Sequence, residues 1–142
     1  MCLLIWIEAE AADRASLVTA AHAASEFGLQ VDVARASRWP WARSKPVRAT
    51  ISEGGGCACG MLSDDAAWNA ETSAMRADIV EPLARTLETL LSLGPGRLTV
   101  AALWVGERPQ QQLDVTPAEL TRLVRTTGLR TKTRYVVNRG AA

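Results

Sequence analysis

The sequence predicts one α+β domain built on a mixed or antiparallel sheet, with helices mainly on one sheet face. Three observations predict it. Segments of strand and helix character alternate as strand, helix, three strands, helix, two strands, helix, strand. Residues 3–7 and 98–105 are almost unbroken apolar runs rich in β-formers, the pattern of central strands covered on both faces. Finally, 142 residues, of which 48% are hydrophobic and 22% charged, suffice to bury one core without disulfide or metal staples.

Each element has its own signal. Met1 to Ile7 is apolar but lacks the positive flank and small-residue cleavage site of a leader, and it meets Glu8 too early for one; it reads as the first strand. Residues 11–27 are Ala-rich with Leu17, Ala20, Ala21, Ala24 and Phe27 on one stripe, and Gly28 follows where a left-handed C-cap belongs. Leu29, Val31 and Val33 alternate with Gln30, Asp32 and Ala34, which predicts a half-buried strand. Pro40 and Pro46 then mark a loop over residues 37–46. Val47 to Ser52, a glycine-rich turn and residues 57–62 predict a hairpin.

Ser63, Asp64 and Asp65 offer N-caps to a helical stretch from Ala66. Pro82 would cost about 3 kcal/mol in a helix interior. Asp78 to Glu81 resembles a capping box that would put Pro82 in a new first turn, so a break or kink is expected near Ala77. Ile79, Val80, Leu83, Leu87, Leu90 and Leu91 form the stripe of the following helix, which Gly94-Pro95-Gly96 stops. Leu98 to Val105, the turn at Gly106 to Pro109 and residues 111–115 predict a second hairpin. Thr116-Pro117-Ala118-Glu119 combines an N-cap, a first-turn proline and a glutamate able to reach back to the cap. The helix it opens runs to about Thr127, Gly128 closes it, and Thr131 to Val137 is the last strand. The first half resembles the alternation of a ferredoxin-like sandwich.

Net charge is +1, but it is segregated: residues 1–32 sum to −4, 33–48 to +5, 49–119 to −6 and 120–142 to +6. General attraction to polyanions is not expected, and nucleic acid is the less favoured partner. A local basic surface would arise if the two basic stretches meet in the fold. No apolar run approaches the roughly 20 residues of a membrane span. Three cysteines do not suit a secreted disulfide framework, so a soluble protein in a reducing cytoplasm is expected.

Two segments carry candidate chemistry. Arg38, Trp39, Trp41, Arg43 and Lys45 interleave aromatic rings with cations, a combination that stacks on planar groups and grips phosphates or carboxylates. The leading reading is therefore a small non-enzymatic binding or regulatory domain that engages a partner protein or small anionic ligand through this loop. Its structural alternative lays the two rings over the end of the sheet. The other segment holds Cys57 and Cys59 between glycines, and a simple up-and-down topology brings Cys2 and His22 toward the same end, a Cys₃His set suited to Zn²⁺ or to thiol redox chemistry. In an extended strand the two cysteines would stand about 6.6 Å apart, whereas thiolates on one Zn²⁺ need about 4 Å, so a metal requires a looped backbone. At the opposite end Glu8, Glu10, Asp64, Asp65 and Glu107 offer oxygen ligands for a divalent cation, though capping and solvation account for them more simply and no paired acidic motif of defined spacing occurs. The lone His22 supports no histidine-based triad. Phosphate-loop, dinucleotide and Gly-x-Ser-x-Gly fingerprints are missing from the sequence.

Overall fold

The computed structural model describes residues 3–35, 45–54, 58–61, 72–73, 75–104 and 106–139. In chain order its elements are β1 (Leu3–Ala9), α1 (Arg14–Ala24), β2 (Gln30–Val33), β3 (Val47–Ser52), β4 (Thr72–Ser73), α2 (Ala77–Leu93), β5 (Arg97–Trp104), β6 (Gln111–Val115), α3 (Pro117–Arg125), β7 (Leu129–Arg130) and β8 (Thr133–Asn138). Six strands form one mixed sheet in the order β2-β3-β1-β5-β8-β6, while β4 and β7 pair separately. Every contact in the large sheet is antiparallel except β6 with β8. The α+β class is as the sequence predicts.

Alternation along the strands decides where the core lies. Leu3, Ile5 and Ile7 of β1 are fully buried, and they share one apolar cluster with Ile51, Val100, Ala102, Tyr135 and Val137 from neighbouring strands. Leu17 and Ala20 of α1, Leu83 and Leu87 of α2, and Leu120 and Val124 of α3 belong to the same cluster. Helices α1, α2 and α3 thus pack on one sheet face, with α2 touching both of the others. The intervening residues Leu4, Trp6 and Glu8 are only half-buried. β1 is central, as its apolar run predicts, but it is not covered equally on its two faces.

Local signals hold well at the helices. Thr116 Oγ1 accepts from the Glu119 amide at 3.1 Å, and the Glu119 carboxylate accepts from the Thr116 amide at 3.3 Å, with Pro117 opening α3. Helix α1 continues as a 3-10 turn to Phe27 and ends on Gly28 at φ +88°, the left-handed cap expected. At Gly94 a Cβ would stand 2.3 Å from the Leu90 carbonyl and 3.3 Å from the Ala20 Cβ, so only glycine lets α2 end there against α1. Arg139 closes that end, donating to the Leu91 carbonyl at 3.0 Å and the Ser92 carbonyl at 2.5 Å, a cation on orphan helix acceptors.

Three expectations are corrected. Residues 59–61 form a 3-10 turn instead of the second strand of a hairpin with β3. Both edges of β3 are already taken, by β2 and β1, and Ala58 and Met61 bury their side chains in the core instead. β5 and β6 do not form a hairpin either, because β8 inserts between them and β6 runs parallel to it across the α3 crossover. The break near Ala77 is a helix start, but the N-cap is Arg76 rather than Asp78, which leaves Pro82 inside the helix. The helical stretch expected from Ala66 falls largely outside the described residues, but Thr72–Ser73, which it would cover, are extended instead and pair as β4 with β7.

Candidate functional site

The sheet face away from the helices gathers a single register row. Asp32 lies opposite Thr50, Thr50 opposite Trp6, Trp6 opposite Ala101, and Ala101 opposite Arg134. Ala101, Leu103 and Val136 on this face are buried yet stand outside the main apolar cluster. Among the described residues no helix packs on this layer, whose Trp6 is half-buried and whose Arg48 and Arg134 are exposed.

Above the row lies a cleft of about 800 Å³. β1 supplies Trp6 and Glu8, β3 supplies Arg48, β5 supplies Thr99 and Ala101, and β8 supplies Arg134. The segment after β5 closes one side with Glu107, Arg108 and Gln110. That segment is pinned by the Gln110 amide, which donates to the Lys132 carbonyl at 2.6 Å, just where β8 begins. Each placement follows from strand parity: even-numbered residues of β1 and β8 point to this face because their odd-numbered neighbours are in the core.

The charges are unequally satisfied. Arg48 lies 4.9 Å from the centroid of the Trp6 ring and pairs with Glu8 at 3.4 Å. Lys132 pairs with Glu107 at 3.4 Å. Both acids of the cleft are therefore held by cations, while Arg108 and Arg134, both exposed, have no carboxylate partner among the described residues. The two basic stretches of the sequence meet here, Arg48 from one and Arg134 from the other.

A second hollow, of about 400 Å³, adjoins the first and shares Trp6 and Arg48 with it. Leu4, Ala34 and Thr50 give it an almost wholly apolar lining, with Asp32 at the β2 edge. Asp32 accepts from the Gln30 amide group at 2.8 Å. The Trp6 and Arg48 side chains thus stand between a polar, cationic hollow and an apolar one.

Of the residues singled out in the sequence, Arg38, Trp39, Trp41, Arg43, Cys2 and Cys57 lie outside the described residues. Lys45 is exposed, where the chain returns to β3. The neck of that loop is closed by the Ala34 amide, which donates to the Arg48 carbonyl at 2.8 Å, so the loop is rooted at the corner where the apolar hollow sits. Cys59 begins the 3-10 turn, which is looped and not extended. His22 is exposed on α1, turned away from the buried Ala20, Ala21 and Ala24. Of the acids, Glu8 and Glu107 are paired with bases, Glu10 is exposed, Asp64 and Asp65 lie outside the described residues, and no group of three metal-ligating side chains occurs among the described ones.

Sequence reasoning missed Trp6, Arg48, Arg108 and Arg134 as a set. The signal was the alternation of Leu4, Trp6 and Glu8 with Leu3, Ile5 and Ile7, which places a tryptophan and an acid on one face of a central strand. Stronger charge pairing lies elsewhere. Arg125 of α3 grips Glu81 of α2 through two bonds of 3.1 and 3.0 Å, and this guanidinium holds the Glu81 carboxyl below the usual carboxylate range. That pair ties two helices together on the opposite side of the sheet. No helix among the described residues is long and apolar enough to cross a membrane. No protein-family model, curated protein or solved structure matches the chain.

Proposed function

We propose that the protein is a small non-enzymatic binding domain of the cytoplasm whose ligand is an organic anion held in the cleft on the open sheet face. The observation that carries this reading is the pair Arg108 and Arg134, two exposed arginines that line one cleft whose own acids are already paired. A guanidinium fork suits a carboxylate or phosphate, and the Trp6 ring beside it offers an apolar platform to whatever carries the charge. The loop of Arg38, Trp39, Trp41, Arg43 and Lys45 is assigned to the same role, since the residues that flank it, Ala34 and Arg48, line the hollow adjoining the cleft. A protein partner would then be read through an acidic side chain.

The scaffold for this is a ferredoxin-like unit. β1, α1, β2, β3, α2 and β5 follow its strand–helix alternation with neighbour order β2-β3-β1-β5, and β6, α3 and β8 extend the sheet past β5.

The test is a titration with benzoate at constant ionic strength, followed by amide and indole NMR shifts. Wild-type protein is expected to bind it, and Arg134→Gln to weaken binding about tenfold, the worth of one charge-assisted hydrogen bond. Equal binding by Arg134→Gln and Arg108→Gln variants would refute the cleft as an anion site.

A second reading keeps the cysteines as a thiol or Zn²⁺ site. It is favoured by one bond: the amide of Ala58, which Cys57 and Cys59 flank in the chain, donates to the carbonyl of Leu3, the residue after Cys2. Metal analysis of protein purified without chelators, with thiol counting under reducing and oxidising conditions, separates metal, disulfide and packing roles.

A further inference from the structure

The two hollows on the open face share Trp6 and Arg48, and the register row runs beneath both of them. We propose that they are the two halves of one site, and that its ligand is a free amphipathic carboxylate: a head in the Arg108 and Arg134 cleft and an apolar tail that crosses Trp6 into the Leu4, Ala34 and Thr50 hollow. The proposal rests on the anion-binding reading of the cleft and deepens it by naming the ligand class.

Geometry sets the ligand's length. Arg134, Ala101, Trp6 and Thr50 follow one another on adjacent strands, and three strand spacings of about 4.8 Å put the two ends about 14 Å apart. An acyl chain of medium length spans that distance, and a short acid does not. Polarity sets the ligand's direction. The cationic end lies at β8 and the segment after β5, whereas the other end is lined by Leu4, Ala34, Thr50 and the Trp6 ring.

Charge sets a further limit. Asp32 stands at the outer rim of the apolar hollow, so a second carboxylate at the tail end would meet a like charge. A monocarboxylate is therefore favoured over a dicarboxylate of the same length. The Trp6 indole, with Arg48 over it, gives the chain an apolar surface to cross at the middle of the sheet.

The experiment is a binding series of hexanoate, octanoate and decanoate below micelle concentrations, with decanol, decanedioate and benzoate as comparisons. Kd is expected to fall roughly two- to fourfold per added methylene, as burial of an apolar chain requires. Decanol and decanedioate are expected to bind at least tenfold more weakly than decanoate. The neutral variant Ala34→Trp, which fills the tail hollow, should remove the chain-length gain while benzoate, held at the Arg108 and Arg134 end, still binds. Position 34 is exposed, so the variant does not disturb the helix-side packing.

If hexanoate and decanoate bind alike and Arg134→Gln still weakens both, the two-hollow proposal is overturned while the anion reading stands. If no anion binds, both fall. Decanol binding as tightly as decanoate, or capture of anionic lipid vesicles without binding of free decanoate, would also overturn it.

Discussion

The two faces of the six-stranded sheet are made by the same strands and differ by one residue of register. On the helix side Leu3, Ile5, Ile7, Ile51, Val100 and Val137 are buried against α1, α2 and α3. On the other side the positions between them hold Trp6, Glu8, Arg48, Thr99 and Arg134, charged or amphipathic groups that line a cleft. The contrast teaches that a central strand can serve stability and recognition at once, because its period of two sends alternate side chains to separate environments. A substitution on β1 should therefore be read by its parity before its chemistry.

The largest effect is expected on the helix side. Ile5→Ala should destabilise the protein by about 2–5 kcal/mol in chemical denaturation, through lost burial and the cavity left behind. Trp6→Ala, its immediate neighbour, should cost about 1 kcal/mol and keep a cooperative transition while abolishing ligand binding. Similar losses of stability at both positions would erase the distinction between the faces.

Next comes Gly94→Ala, where the added Cβ would meet the Leu90 carbonyl. Its expected cost is about 1–3 kcal/mol, read as a lower denaturation midpoint with anion affinity unchanged. Thr116→Ala should cost about 1 kcal/mol by removing the α3 cap, again without touching the cleft. Either variant altering Kd would show that the helix layer and the open face are coupled.

The smallest effect concerns pH. The folded state lowers the Glu81 carboxyl relative to the unfolded chain through Arg125, so the pair's contribution is present at neutral pH and lost as pH falls below the ordinary glutamate range, about 4. Arg125→Gln should therefore be less stable than wild type at pH 7, and the gap should narrow on acidification. A gap that stayed constant with pH would assign the role of Arg125 to packing.

These contrasts also explain what the sequence disclosed. Helix ends were legible because their signals are local: the Thr116 and Glu119 box and the Gly28 cap each act within a few residues. The spans of β1, β2, β3, β5 and β6 were legible for the same reason, whereas residues 59–61 turn instead of extending. Strand partners were not, because the insertion of β8 between β5 and β6 and the saturation of β3 by β2 and β1 are settled by distant segments. The cleft was hidden similarly. The Trp39 and Arg43 loop draws attention because its aromatics and cations are adjacent in sequence, whereas Trp6, Arg48 and Arg134 meet only through the register of four strands. The segregated basic stretches were the one forward hint, and their junction at the cleft is where it led.

The most direct test of the account is to map a bound anion onto the two faces by NMR, titrating decanoate into uniformly labelled protein. The account predicts the largest shifts at the Trp6 indole, Thr50, Ala101 and Arg134, with Leu17, Leu83 and Leu120 of the helix layer unmoved. Shifts centred on the helix layer, or no saturable shift on the open face, would contradict it.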